Sequence, residues 1–195
     1  MAQIEENRLA FQQNEPILQL MEYVFGYGSL LEKTGACATL NGWQRSWGVA
    51  MDNSEDLPHY KHYLDASGGR PKICVAFLDV QPHAAAEVNG VVIAVSREAL
   101  AVLDARERNY RRVDVTSALS LDLEGKAWVY TGLEESVERC RRALEQKRLF
   151  VQKQYLLAVR AGFRALGEDS YATFQETTVL LPCPAAKLKI VRHTA

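Results

Sequence analysis

The chain has 195 residues, 48% hydrophobic and 24% charged, with 23 Lys and Arg against 24 Asp and Glu and a formal net charge of −1. This length fits one domain with appended ends. The near-neutral balance supplies no global field toward phosphate backbones or acidic membrane surfaces, and no stretch reaches the roughly 18 to 20 apolar residues of a membrane span.

Residues 1–7 lack the basic start and apolar run of a secretory leader, so the expected setting is the cytoplasm. Residues 1–19 are polar with a poor helical stripe before Pro16 and are expected to form an arm outside the core. Residues 22–27 carry a Tyr-Val-Phe run of β-formers that meets Gly26 and Gly28, followed by Ser29, Leu30 and Leu31. That pattern predicts a strand ending in a tight glycine turn.

Residues 41–51 alternate Trp43, Trp47 and Val49 against Gln44 and Ser46 and predict a second strand. Residues 52–70 are polar, punctuated by Pro58, Gly68 and Gly69, and read as a long surface loop. Two strands are expected at 73–80 and 88–95, separated by a connection containing Pro82. Ser96 is placed to cap a short helix from Arg97 to about Glu107, with Leu100 and Leu103 facing the core. Residues 113–123 and 126–130 predict a hairpin about Glu124-Gly125, and from Gly132 onward the period becomes helical, over 134–146 and 152–166. A mainly antiparallel sheet followed by helices gives an α+β class.

Gly26-Tyr27-Gly28-Ser29-Leu30-Leu31 begins like a dinucleotide fingerprint, but Leu31 stands where the third glycine is required. The same leucine excludes a nucleophile elbow, and no Gly-Lys-Ser/Thr follows to make a phosphate loop. Two readings remain: a turn that only packs, or a loop whose backbone approaches a ligand and whose amides converge on one anion or carbonyl oxygen. Glu107 likewise has two readings. It is one member of a solvated charge cluster with Asp104, Arg106 and Arg108, or a carboxylate at a helix C-terminus suited to proton exchange.

His59-x-x-His62 with Asp52, Asp56 and Asp65 nearby is a weak metal signal, and no metal or other cofactor is expected. Cys37, Cys74, Cys140 and Cys183 are spread without a Cys-x-x-Cys pair, which argues against a thiolate zinc site or a redox dithiol. Arg106, Arg108, Arg111 and Arg112 around Tyr110 would alternate faces of a strand, so no nucleic-acid partner is expected, and no membrane partner either.

Tyr23-Val24-Phe25-Gly26-Tyr27-Gly28-Ser29-Leu30-Leu31 resembles the Tyr-Gly-Ser loop of the γ-glutamylcyclotransferase family, in its AIG2-like branch. Asn89-Gly90-Val91-Val92 followed by Leu103-Asp104-x-x-Glu107 resembles the family's strand, helix and catalytic glutamate. Lys153-Gln154-Tyr155-Leu156 with 162–167 resembles its later helix, whose tyrosine reaches the substrate pocket. The resemblance implies a small, mixed, mainly antiparallel β-barrel with flanking helices, here over residues 20–179 with a C-terminal tail at 180–195.

It also implies an enzyme that turns a γ-glutamyl amide, its small-molecule partner, into 5-oxoproline and free amine. Glu107 would be the general acid/base, and Tyr27, Gly28, Ser29, Leu30 and Tyr155 would hold the substrate. The alternative is a ligand-binding or interaction domain that keeps the pocket without turnover. Residues 52–70, with His59, Tyr60, His62 and Tyr63, are expected to act as a cover that selects the amine, while 180–195 carries no assignable motif.

Overall fold

The structure is a computed structural model that describes residues 21–32, 35–55, 60–180 and 183–192. The arm expected at 1–19 lies outside the described residues. Among those described, no helix is long and apolar enough to cross a membrane.

Strand β1 (Met21–Gly26) runs through the middle of the main sheet, as its β-branched and aromatic residues require. It pairs antiparallel with β4 (Cys74–Val95), from Glu22 opposite Val95 to Gly26 opposite Val91. It also pairs parallel with β6 (Gly125–Gly132). Strand β2 (Ala36–Asp52) follows β4 antiparallel along nearly its whole length, from Ala36 opposite Val92 to Asp52 opposite Cys74.

The sheet order is β5-β6-β1-β4-β2-β8, where β5 is Tyr110–Asp114 and β8 is Thr178–Val179; β7 (Leu149–Gln152) joins β4 parallel and takes β9 (Ala185–Ala186) on its other side. This is a mixed α+β arrangement, but the expected barrel is corrected. Strand β5 at one end and the two-residue β8 at the other have no ladder between them, and a barrel needs its terminal strands joined.

The expected break at Pro82 is also corrected, since β4 is one strand through that residue. Pro82 is exposed and lies opposite Trp43, next to a register shift between Asn41 and Trp43 where the ladder is already interrupted. An irregularity of that kind tolerates a residue without an N–H. The tight hairpin expected at Glu124-Gly125 is instead a wider link. A single 3-10 turn (Thr116–Ala118) is pinned by Thr116, whose hydroxyl donates to Asp114 Oδ1 at 2.6 Å and accepts from the Ala127 N–H at 2.9 Å.

Helix α1 (Arg97–Arg106) begins at Ser96, whose hydroxyl accepts from the Ala99 N–H at 3.2 Å, and it buries Leu100 and Leu103. The later helices are α2 (Glu134–Glu145), α3 (Lys153–Ala165) and α4 (Glu168–Thr177). Gln152 caps α3 by accepting from the Tyr155 N–H at 2.9 Å.

The α3–α4 pair is locked to the sheet through Arg45, a fully buried cation on β2. Its guanidinium donates to Thr178 Oγ1, to the Asn89 carbonyl and to Asn89 Oδ1, each at 2.8 Å, and its Cζ lies 4.8 and 4.6 Å from the centres of the Phe163 and Phe174 rings, which stack on each other. Burial lowers it to about 9, so the surrounding hydrogen bonds and ring faces are what make its charge tolerable.

The surface loop expected at 52–70 is corrected as well. It contains β3 (Lys61–Leu64), which pairs antiparallel with β10 (Lys189–Arg192) of the C-terminal segment. Asn53, fully buried, binds this ribbon to the sheet: its Nδ2 donates to the carbonyls of Tyr63 (2.9 Å) and Pro71 (3.0 Å), and its Oδ1 accepts from the Tyr63 N–H (2.7 Å). Tyr63 is 2% exposed and packs with Met51, Val75, Phe77 and Leu188. The ribbon therefore has a core of its own.

Candidate active site

At the end of β1 the chain reverses through Tyr27 and Gly28 into a short 3-10 turn (Ser29–Glu32), with the Leu31 N–H donating to the Gly28 carbonyl at 3.1 Å. A Cβ at position 28 would lie 3.2 Å from the Tyr155 hydroxyl and 3.5 Å from Leu78 Cδ1, so glycine is what lets the turn approach Tyr155. Helix α3 comes close for the same reason. A Cβ at Gly162 would lie 2.9 Å from Leu31 Cβ. Paired small residues thus seat the tyrosine-bearing helix against the turn.

Glu107 closes α1. Its N–H donates to the Leu103 carbonyl and its own carbonyl accepts from the Tyr110 N–H, both at 2.9 Å. The side chain is 19% exposed and is held by Arg106, through Nε at 2.8 Å and Nη2 at 2.7 Å. The carboxylate sits at the negative end of the α1 dipole with a guanidinium as counterweight.

Tyr27, Gly28, Ser29, Leu30, Glu107 and Tyr155 all line one cavity, so the structure brings together every residue expected at the site. Four others complete the lining: Phe25, Leu78, Tyr110 and Tyr130. Sequence reasoning missed them because each is an ordinary β-former within a strand. The available signal was the closeness of Tyr110 to Glu107, three residues apart and joined within one turn.

The phenols are held in place by hydrogen bonds. Tyr27 donates to the Tyr130 carbonyl at 2.5 Å, Tyr110 to the Leu78 carbonyl at 2.7 Å, and Tyr130 to Asp104 Oδ1 at 2.7 Å. Burial raises Tyr27 and Tyr110 well above the ordinary phenol range, and nearby charges such as Asp79 and Glu107 add to the effect. Tyr155 is raised chiefly by burial, against a hydrogen bond from the Leu78 main chain. These hydroxyls stay neutral near pH 7, and among the described residues Glu107 is the cavity's carboxylate.

Asp104, one helical turn before Glu107, does not line the cavity. Its side chain is 42% exposed and engages Tyr130 and Arg112, the latter at 3.1 Å. Arg112 also lies over the Trp128 ring. The basic run around Tyr110 is thus divided: Arg106 goes to Glu107, Arg112 to Asp104 and Trp128. Of the histidine pair, His62 stands in β3, while His59 and Asp56 lie outside the described residues.

A family model described as "Gamma-glutamyl cyclotransferase, AIG2-like" matches residues 24–155. Among solved structures, a "Gamma-glutamyl cyclotransferase" matches with a TM-score of 0.50 at 14% identity, covering 80% of this chain and 88% of that one. An uncharacterized protein from Homo sapiens matches with a TM-score of 0.49 at 14% identity, covering 81% and 88%. YkqA from Bacillus subtilis matches with 0.49 at 13% identity, covering 88% and 57%. No curated protein matches the sequence. At 14% identity the first structural likeness speaks to the fold alone.

Proposed function

The chain belongs to the gamma-glutamyl cyclotransferase, AIG2-like family, and from that premise we propose that it converts a γ-glutamyl amide into 5-oxoproline and free amine, with Glu107 as the proton carrier. The observation that carries this reading is the convergence of the Gly28 turn, the Tyr155 hydroxyl and the Glu107 carboxylate on one cavity.

A γ-glutamyl amide contains its own nucleophile, so the protein need not supply a serine or cysteine. The α-amino nitrogen attacks the γ-carbonyl carbon and closes a five-membered ring as the amide C–N bond breaks. The α-nitrogen gives up two protons, one before attack and one from the ring nitrogen after it; Glu107 carries them in turn to the departing nitrogen, which leaves as an ammonium, so the carboxylate finishes in the state in which it began. The main-chain N–H groups of Ser29 and Leu30 are the candidates to hold the α-carboxylate or the developing oxyanion. Tyr155, neutral and close to Gly28, orients the glutamyl half by a hydroxyl hydrogen bond. Folding the substrate into a near-attack geometry contributes up to about 7 to 11 kcal/mol where orientation is complete.

The test is incubation with glutathione, γ-glutamyl dipeptides and γ-glutamyl-ε-lysine, with 5-oxoproline detected by mass spectrometry. Release above that of a Glu107→Gln control supports the reading. Binding of these compounds without any 5-oxoproline would leave a ligand-binding domain in its place.

A further inference from the structure

The geometry points to an anion subsite at the rim of the cavity: Lys61 and Arg192, opposite each other across the β3–β10 ribbon, hold a carboxylate on the amine half of the substrate. The inference rests on the cyclotransferase reading above and names the class of amide that this site prefers, a γ-glutamyl amino acid rather than the amide of a plain or cationic amine.

Lys61 and Arg192 are direct partners in the antiparallel register, as are Tyr63 and Ile190 two residues along. Direct partners share a face of the ribbon with their Cβ atoms about 4.5 to 5.5 Å apart, and residues i and i+2 share a face as well. Tyr63 is buried, so Lys61 stands on the face turned toward the core. Two like charges directly opposite each other destabilise a strand pair. Among the described residues neither one forms an ion pair with a carboxylate. An anion between them removes that repulsion.

Lys61 is also within reach of the cavity. Its Nζ lies 4.4 Å from the centre of the Phe77 ring, and Phe77 meets Tyr155 edge-on at 5.4 Å. Tyr155 lines the cavity, so one ring separates the ammonium from the cavity wall. Lys61 Nζ also lies 5.6 Å from the centre of the Tyr60 ring, and the Tyr60 hydroxyl accepts from Asn109 Nδ2 at 3.2 Å, two residues after Glu107.

Burial lowers Lys61 to about 8, and the attraction of Glu107 offsets this only in part because Arg192 and Arg106 oppose it. Glu107 itself is engaged by Arg106. With the glutamyl half between Gly28 and Tyr155, the amine half must extend past Glu107. A carboxylate beside the departing nitrogen then meets Lys61 and Arg192, whereas an ammonium there would be repelled.

The deciding comparison uses two substrates that differ only by that carboxylate, γ-glutamylalanine and γ-glutamylethylamide. Wild-type protein is expected to favour γ-glutamylalanine by at least ~10-fold in kcat/KM, the size of a charge-assisted contact. In Lys61→Met, whose side chain can still lie over Phe77, the ratio is expected to fall below ~3-fold, and Arg192→Met, at an exposed position, should lower it too. Calorimetric titration of both compounds into Glu107→Gln protein, with and without Lys61→Met, gives the same comparison without turnover.

Equal kcat/KM for the two compounds in wild-type protein overturns the subsite while 5-oxoproline release keeps the cyclotransferase reading. A preference unchanged in folded Lys61→Met and Arg192→Met overturns it as well. Tighter, Lys61-dependent binding of γ-glutamylalanine with no 5-oxoproline from either compound supports the subsite and removes the cyclotransferase reading. Binding of neither compound removes both.

Discussion

The inner wall of the cavity and its rim are assembled differently. The wall comes from a four-residue turn, the end of α1 and one tyrosine of α3, brought into contact by Gly28 and Gly162 and surrounded by phenols whose hydroxyls are tied to carbonyls or to Asp104. The proposed rim comes from β3 and β10, strands from distant parts of the chain in which Lys61 and Arg192 are register partners. Fixed dipoles and close packing suit the half of the substrate that never changes. Long, charged side chains suit the half that does.

Loss of the carboxylate from the wall should have the largest effect. In Glu107→Gln the amide keeps the shape but cannot exchange a proton, so kcat is expected to fall at least ~10²-fold with the melting temperature little changed. Turnover within a few-fold of wild type would return Glu107 to the status of a charge-cluster member held by Arg106.

Next comes the turn. In Gly28→Ala the new methyl would sit 3.2 Å from the Tyr155 hydroxyl, which is fixed from the Leu78 side, so either the turn or the ring must shift. A displacement of that kind should lower kcat/KM by about 10- to 10²-fold for every γ-glutamyl amide alike. A loss confined to some amines would mean that the turn also reads the rim's half and would erase the division between the two regions.

The carboxylate preference of the rim should respond to pH through Lys61. Lys61, at about 8, loses its proton as pH rises through that value, so its share of the carboxylate preference is present below about 8 and declines above it. The groups facing it are Glu107, which favours its charge, and Arg106 and Arg192, which oppose it; the Tyr60 phenol is raised by burial and stays neutral. A bound carboxylate moves the decline upward, and Arg192 remains as the second contact, so the kcat/KM ratio for γ-glutamylalanine over γ-glutamylethylamide should fall by roughly 3-fold between about pH 7 and 9.5. A flat ratio across that range would locate the anion contact on arginine alone.

The two regions were unequally legible in the sequence. The elements of the wall were readable because they are local: β-formers ending in glycines, a serine-capped helix ending at Glu107, and a helical stripe bearing Tyr155; that they form one site was implied only by the family resemblance. The tyrosines that complete it were not, because Tyr110 and Tyr130 are placed by the β5–β6 ladder rather than by their neighbours. The rim was read as a polar cover and an unassigned tail, since neither β3 nor β10 carries a signal for the other. Asn53 and Tyr63 make the difference material. Replacing residues 52–70 by a flexible connection would remove a buried ring and its main-chain hydrogen bonds, so selectivity is better tested by single charge changes at Lys61 and Arg192.

The smallest effect is expected at Asp104, and it bears on which carboxylate of α1 belongs to the wall. Asp104 and Glu107 are three residues apart on one helix, and in the sequence either could face a substrate. The fold separates them: Glu107 lines the cavity, whereas Asp104 lies behind Tyr130, accepting its hydroxyl at 2.7 Å and pairing with Arg112 at 3.1 Å. In Asp104→Asn the amide oxygen can still accept from Tyr130, so what disappears is a half-exposed ion pair worth about 0 to 1 kcal/mol. Turnover should therefore stay within ~3-fold of wild type, and any change should appear in KM through a small shift of the Tyr130 ring. A loss as large as that of Glu107→Gln would make the Tyr130–Asp104 contact part of the proton path and move the chemistry one turn back along α1.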